Sequence, residues 1–113
     1  MKIKNTSNSE HYLWGESCDG WHLLKSDSLS IIQEKMPPNT EEGLHFHSKA
    51  QQFFFILKGT ATFEVDNEIY SVEEGNGFHV QANEIHRIFN KTTMDLEFIL
   101  ISEPKSHGDR TNL

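Results

Sequence analysis

The chain has few cysteines, few prolines and no long apolar run, and these shortages exclude several classes of protein. Cys18 is the only cysteine among the 113 residues, so no disulfide can form within the chain. The longest apolar run, Phe53 to Leu57, is far shorter than the roughly 20 residues that a transmembrane helix needs. Residues 1–10 are polar and lack the apolar stretch of a secretory signal, so we expect a cytoplasmic protein with no membrane partner.

Basic residues are also scarce relative to acidic ones. Ten Lys and Arg stand against 17 Asp and Glu, which gives a formal charge of -7. Binding to nucleic acid depends on clustered cations that neutralise phosphates, so nucleic acid is not an expected partner. The acidic residues are spread along the chain, and the negative balance favours solubility.

Aromatic residues and turn signals are abundant, and together they indicate an all-β fold. Eight Phe, two Trp and two Tyr suit a pleated sheet better than a helix. No segment of ten or more residues has a helical period, whereas short strand-like segments alternate with turns from residue 28 onward. The predicted strands are 28–36, 43–47, 51–58, 60–65, 68–72, 77–80, 85–90 and 95–102. Eight strands with tight connections predict a closed or double-sheet barrel.

The extent of the predicted strands divides the chain into three segments. Residues 28–102 form the predicted barrel, and residues 1–27 form an N-terminal segment that packs on it through its tryptophans and leucines. Residues 103–113 are polar and are expected to lie along the surface or to be frayed.

Three of the seven histidines have a spacing that is typical of a metal site. His45 and His47 are two residues apart, so on a strand both side chains leave the same face. Two imidazoles placed in this way can bind one first-row metal ion. Gln52 begins the next aromatic strand, and His86 lies in a later strand that could pair beside the first two.

These residues resemble the two motifs of the cupin family. The first motif is similar to Asn39, five residues, His45-Phe46-His47, four residues, Gln52, six residues and Gly59. The second is similar to Gly75, five residues, Gln81-Ala82-Asn83, two residues, His86, three residues and Asn90. The resemblance covers about residues 28–102 and implies a single cupin β-barrel, which is also called a double-stranded β-helix or jelly roll.

The chain departs from the family pattern at four positions. Asn39 and Asn83 stand where the family has glycine, and asparagine tolerates the left-handed backbone that such turns need. Gln81 replaces a proline. Gln52 replaces the glutamate that usually completes the metal site, and an amide oxygen can bind a metal but brings no charge.

The resemblance implies a divalent metal ion held by His45, His47, Gln52 and His86. Imidazole and amide ligands suit Zn, Fe, Mn or Ni, and the sequence does not choose among them. A cupin that has lost its metal remains an alternative, because Gln52 is neutral. Neutral imidazoles are required for binding, so metal occupancy is expected to fall as the pH drops through about 6.5.

Two classes of function follow from this resemblance. The first is a small-molecule metalloenzyme of the isomerase, epimerase or dioxygenase type, in which the metal acts as a Lewis acid on a polar or anionic molecule. The second is a non-catalytic cupin that binds or senses a sugar or another small molecule. No inward carboxylate is evident to act as general base, unless Glu64 or Glu97 turns inward.

The alternation of side chains also predicts which residues face outward. If Gln52 points inward, then Phe53, Phe55 and Leu57 point outward and need a cover, which is either the N-terminal segment or the second chain of a homodimer. Cys18 is expected to be a buried apolar residue rather than a reactive thiol. His22, His79 and His107 could line the mouth of the barrel, but a surface position is expected for each, and Arg87 is expected to be external.

Overall fold

Twelve strands and no helix make up the protein in a computed structural model, which describes residues 2–113. The described residues therefore contain no helix of the length and apolarity needed to cross a membrane. The strands are β1 (Glu10–Trp14), β2 (Cys18–Lys25), β3 (Ser30–Met36), β4 (Thr40–Glu41), β5 (His45–His47), β6 (Gln51–Lys58), β7 (Thr60–Val65), β8 (Glu68–Glu73), β9 (Gly77–Val80), β10 (His86–Asn90), β11 (Leu96–Glu103) and β12 (Arg110–Asn112).

The strands form two antiparallel sheets. The first sheet has the order β1-β2-β3-β11-β6-β9, and the second has the order β12-β5-β10-β7-β8, with β4 paired to β10. The sheets are not joined into one hydrogen-bonded cylinder, so the barrel expected from the sequence is a double-sheet jelly roll. The all-β fold is confirmed.

Aromatic side chains fill one part of the space between the two sheets. Phe54 of β6 lies 4.9 Å from Phe63 of β7 and 5.6 Å from Phe98 of β11, measured between ring centroids. Phe63 also stacks on Phe78 of β9 at 4.2 Å. Phe63 and Phe98 are fully buried. These contacts between the sheets form the apolar core.

Between residues 28 and 102, all eight predicted strands are present. The strands β6, β7 and β9 have the predicted bounds, and the other five differ by one or two residues at one or both ends. The turn between β7 and β8 has positive φ at both Asp66 (49°) and Asn67 (72°), as a tight hairpin requires. Asn39 (φ 61°) and Asn83 (φ 71°) take the left-handed backbone expected of them.

The flanking segments take part in the sheets. Strands β1 and β2 extend the first sheet beyond β3, and neither was predicted. The last residues are not frayed, because Arg110–Asn112 pairs with β5 as the edge strand β12. The division of the chain into 1–27, 28–102 and 103–113 as separate parts stays a prediction.

The outward aromatic residues of β6 are on the outer face of the first sheet, as the alternation predicts. The exposed fractions of Phe53, Phe55 and Leu57 are 40%, 39% and 44%, so the N-terminal segment does not cover them. Strands β1 and β2 lie at the far edge of the same sheet, four and three strands away from β6.

Candidate metal centre and its cavity

His45, His47 and His86 meet between the sheets because β5 and β10 are neighbours. His45 lies directly opposite His86 in the pairing of these strands, and His47 follows two residues later on the same face. The ring centroids are 4.3 Å apart for His45 and His86, 5.1 Å for His45 and His47, and 5.7 Å for His47 and His86. All three side chains are buried, and one nitrogen from each lies within 4.8 Å of the others. The predicted histidine cluster is therefore present.

Backbone carbonyl groups set the orientation of all three imidazole rings. A carbonyl oxygen only accepts hydrogen bonds, so each Nδ1 carries the hydrogen and each Nε2 keeps its lone pair. The Nδ1 atoms of His45, His47 and His86 donate to the carbonyl oxygens of Gly43, Asp109 and Glu84 over 2.8, 3.0 and 2.8 Å. This is the outer hydrogen bonding that metal-binding histidines commonly have.

Burial lowers the pKa of all three imidazoles. The pKa of His45 falls to about 3, mainly because its charged form is desolvated. Desolvation also lowers the pKa of His47 and His86. Desolvation therefore favours the neutral form of all three rings, and the expected loss of metal binding moves from about pH 6.5 to a lower pH.

Gln52 lies in the same interior with its amide oxygen free. The side chain is 4% exposed, and its Nε2 donates to the Ser102 hydroxyl over 3.1 Å. Its Oε1 has no hydrogen-bond partner, and the same is true of the buried Nε2 of His86. Leaving a buried polar atom unpaired costs about 1–3 kcal/mol. A metal ion bound to both atoms would remove that cost, so the donor set fits a divalent ion.

A cavity of about 420 Å³ opens next to these residues. Its lining combines apolar walls with a set of ionisable and hydroxyl groups. The polar and charged lining residues are Tyr12, Glu34, Glu42, His45, His47, Gln52, Ser106, His107 and Arg110. A volume of this size suits a small molecule rather than a polymer.

Two carboxylates that sequence reasoning missed line the cavity. Glu34 is on the inward face of β3, and Glu42 precedes the histidine strand. The two alternatives considered from the sequence are wrong: Glu64 pairs with Arg87 over 2.8 Å, and Glu97 is directly opposite Lys35 on the outward face. The alternation of buried residues 30, 32, 34 and 36 in β3 is the signal that could have identified Glu34.

Burial raises the pKa of both carboxyl groups. The pKa of Glu34 rises to about 8, first through desolvation and then through the charge of Glu42. That of Glu42 rises to about 7 through desolvation, against the opposing effect of Arg110, whose guanidinium lies 3.5 Å away. Glu42 also lies 3.9 Å from Nε2 of His45. These groups can therefore gain or lose a proton near neutral pH.

The C-terminal segment holds His47 in place. The Asp109 carboxylate accepts hydrogen bonds from the backbone amides of Ser48, Lys49 and Ala50 and from the Ser48 hydroxyl, over 2.7–3.2 Å. These bonds, led by the Ser48 hydroxyl, lower the pKa of Asp109 to about 2. Because the Asp109 carbonyl also binds Nδ1 of His47, the segment orients one of the histidines.

The other candidates have varied surroundings. Cys18 is fully buried in the apolar core, as expected. His107 lines the cavity, although its ring is exposed, and it lies 5.3 Å from His22. His79 is exposed and hydrogen-bonded to Gln51, and Arg87 is external, as predicted.

Comparison with known proteins agrees with this architecture. The model of the cupin domain matches residues 32–102, which is more than half of the chain. The chain belongs to the cupin family. It is 27% identical over 85 residues to a protein named oxalate-binding protein from Thermotoga maritima, which covers 71% of this chain and 70% of the relative. It is also 26% identical over 89 residues to an uncharacterized protein of Methanocaldococcus jannaschii, covering 78% of this cupin and 71% of the relative.

Solved structures share the fold at low sequence identity. The crystal structure of a predicted oxalate decarboxylase from Thermotoga maritima superposes with a TM-score of 0.83 at 21% identity, covering 91% of this cupin and 99% of that chain. The polyketide cyclase RemF from Streptomyces resistomycificus superposes with a TM-score of 0.85 at 14% identity, covering 100% of this cupin and 85% of that chain. At these identities the likeness concerns the fold alone.

Proposed function

We propose that this cupin binds one divalent metal ion through the Nε2 atoms of His45, His47 and His86. The observation that supports this most strongly is the set of carbonyl groups that holds the three Nδ1 hydrogens. With all three rings fixed in this tautomer, three lone pairs meet in one buried space. The ion is Zn, Fe, Mn or Ni, which all accept imidazole nitrogen.

We assign the fourth position to the amide oxygen of Gln52. The hydrogen bond from Nε2 to Ser102 fixes the amide so that Oε1 is the free atom. Because all four ligands are neutral, a bound ion keeps its double charge and attracts negatively charged oxygen atoms. When bound, such an ion supplies Lewis-acid chemistry to a carbonyl group.

The molecule that this site takes is small and polar or anionic. The 420 Å³ cavity supports this proposal, as does Arg110, the one guanidinium in its lining. We place the reaction in the isomerase, epimerase or dioxygenase classes, which use an ion of this type on a small oxygen-rich compound.

Metal titration of the purified full-length protein tests the proposal. Isothermal titration with Zn²⁺ should give one site per chain, and His47→Ala should lower the affinity at least about 100-fold. His79→Ala is the matched control, since His79 is exposed and lies outside the cavity. A wild-type protein that binds Zn²⁺ no more tightly than His47→Ala would refute the metal site.

A second candidate is a binding protein without catalysis. The relative named oxalate-binding protein favours this alternative. Oxalate should then bind the Zn²⁺-loaded protein and should lose affinity when Arg110 is replaced by Gln. Oxygen consumption or turnover with 1,3-dicarbonyl compounds, flavonols or keto-sugars would favour an enzyme instead.

We further propose that the protein is a homodimer joined through the outer face of β6. Phe53, Phe55 and Leu57 are each about two-fifths exposed, and Ile99 and Ile101 of the neighbouring strand lie half-buried on the same face. Light scattering at micromolar concentration should report the mass of two chains, and Phe53→Lys combined with Phe55→Lys should give one. A monomeric wild-type protein would contradict the proposal.

A further inference from the structure

Tyr12, Gly20 and Glu34 form one row across three strands of the first sheet. Tyr12 is directly opposite Gly20 in the pairing of β1 with β2, and Gly20 is directly opposite Glu34 in the pairing of β2 with β3. The hydroxyl group of Tyr12 reaches over β2 and donates a hydrogen bond to Oε2 of Glu34 over 3.0 Å. Both side chains line the cavity.

Gly20 is the residue that allows this reach. A Cβ atom built at Gly20 would lie 2.3 Å from Cζ of Tyr12 and 2.6 Å from its hydroxyl oxygen. Any side chain at this position would therefore displace the tyrosine ring. The absence of a side chain on β2 brings a phenol from β1 into contact with a carboxylate on β3.

A glutamate at the buried position 34 is unfavourable for the stability of the fold. It is 8% exposed and shares the inward face of β3 with Ile32 and Met36. Tyr12 satisfies one carboxylate oxygen, whereas Oε1 accepts no hydrogen bond from the described residues, 2–113. A buried carboxylate with one free oxygen costs stability, and such groups are concentrated at functional sites.

The charges around Glu34 make it suited to proton exchange. Desolvation and the neighbouring Glu42 hold its pKa near 8, while Tyr12 and Arg110 oppose that rise. A carboxyl group with a pKa close to neutrality can both take up and return a proton in one reaction.

We propose that Glu34 is the general base of this cavity, positioned by Tyr12, and that the substrate is a small hydroxy-carbonyl compound whose reaction starts with enolisation. This inference rests on the proposed function, because an enolate needs the positive charge that the histidine site is proposed to hold. It narrows the reaction to the isomerase and epimerase classes and away from dioxygenases.

The proposed step needs no oxidant or reductant. The hydrogen on the carbon next to the carbonyl group leaves as a proton and forms an O–H bond with Oε1 of Glu34. The electron pair of the broken C–H bond becomes the second bond between the two carbons, and the carbonyl oxygen takes the negative charge. Return of the proton from Glu34 to a carbon atom restores the carboxylate and completes the exchange.

A purely structural role for Tyr12 and Glu34 makes a different prediction. In that case the hydrogen bond from Tyr12 to Glu34 serves only to fasten β1 to the sheet, and any change at Glu34 lowers stability. A catalytic role instead predicts that the neutral variant Glu34→Gln keeps the melting temperature of the metal-free protein near neutral pH and raises it above pH 8, where it removes a buried charge.

Deuterium exchange into hydroxyacetone tests the proposal. The Zn²⁺-loaded full-length protein in neutral D₂O should catalyse exchange of the hydroxymethyl protons, measured by NMR, above the rate with free Zn²⁺. Glu34→Gln should lower that rate about 100-fold, the typical contribution of a general base. Tyr12→Phe removes the hydrogen bond to Glu34, and Gly20→Ala displaces the tyrosine ring that makes it. Each substitution should therefore lower the exchange rate about tenfold. Glu97→Gln, a carboxylate change on the outward face of β11, should leave it unchanged.

Metal titration of each variant separates this inference from the proposed function. Zn²⁺ affinity should be retained in all four variants. A wild-type protein that binds Zn²⁺ but does not accelerate exchange would overturn the inference and leave the metal site standing. A protein that binds no Zn²⁺ would overturn both. Exchange retained in Glu34→Gln, or a lower melting temperature of that variant without metal, would overturn the role of Glu34.

Discussion

Strand β6 contributes to two regions of the interior that follow opposite rules. At one end, Gln52 leaves its amide oxygen unpaired and lines the same cavity as His45 and His47. Four residues further on, Ile56 is fully buried among apolar side chains and Phe54 contacts two other aromatic rings. The same alternation therefore supplies both a site and a core.

This difference indicates that the aromatic core stabilises the protein, whereas the cavity end lowers its stability in favour of a functional site. The aromatic core removes apolar area from water, which is the main favourable contribution to folding. The cavity end holds two carboxyl groups with raised pKa values, Glu34 and Glu42, and three imidazoles with lowered pKa values. In each of these groups, desolvation destabilises the charged form. Substitutions in the two regions should therefore change stability in opposite directions.

The largest expected effect is in the core. Phe63→Ala removes a fully buried ring that contacts Phe54 and Phe78, and should lower the free energy of unfolding by about 3–5 kcal/mol. Urea denaturation of the metal-free protein measures this loss. Phe89→Ala is the control, because that ring is only half-buried and faces outward. Equal losses for the two variants would remove the distinction between core and surface.

The pH dependence of stability should show that the cavity end, unlike the aromatic core, destabilises the folded protein. The pKa of Glu34 is about 8 in the folded protein against an ordinary value of 4.5, so the folded state holds the proton more tightly. The contribution of Glu34 to the stability of the metal-free protein should therefore fall as the pH rises from 4.5 to about 8. Glu34→Gln should match wild type at acid pH and exceed it by about 1–3 kcal/mol above neutrality. Parallel pH profiles of the two proteins would contradict the buried carboxylate.

The C-terminal segment should affect metal binding more than folding. Asp109→Ala removes four hydrogen bonds to residues 48–50 and loosens the carbonyl group that orients His47. Zn²⁺ affinity should fall about 10–100-fold, as is typical when an outer partner of a ligand is lost. Asp27→Ala is the matched control, since the Asp27 carboxylate pairs with Lys105 at the surface. Unchanged affinity in Asp109→Ala would show that β5 alone orients the ring.

The smallest expected effect concerns the charge of the fourth ligand. Gln52→Glu places a negative charge beside the ion and should tighten Zn²⁺ binding about tenfold, whereas Gln52→Ala should weaken it by a similar factor. The gain for glutamate should be largest at low salt. Titration of the three forms measures both changes. Identical affinities would place Gln52 outside the ligand set.

Local patterns were enough to predict the barrel strands and the histidine cluster. His45, His47 and His86 come together because alternation puts two of them on one face and strand pairing brings the third beside them. The turns around Asn39, Asp66 and Asn67 were predictable as well, since residues that tolerate positive φ are few. In each case the signal lies within a few neighbouring residues.

The carboxylates and the flanking strands could not be predicted in the same way. Glu34 is one of 17 acidic residues, and only its position between buried neighbours distinguishes it. Tyr12, Asp109 and Arg110 act on residues 22, 62 and 68 positions away along the chain. Contacts over such separations leave no periodic pattern in the sequence.

The sequence by itself therefore determined the all-β fold, the positions of the barrel strands along the chain and the three histidines that come together. These depend on side-chain alternation and turn residues, which are local properties of the chain. Only the tertiary structure decided what else surrounds the histidines: the row from Tyr12 through Gly20 to Glu34, the orientation of the Gln52 amide, and the strand that fastens His47. Those features depend on which strands become neighbours, and on how deeply each charge is removed from water once the two sheets pack together.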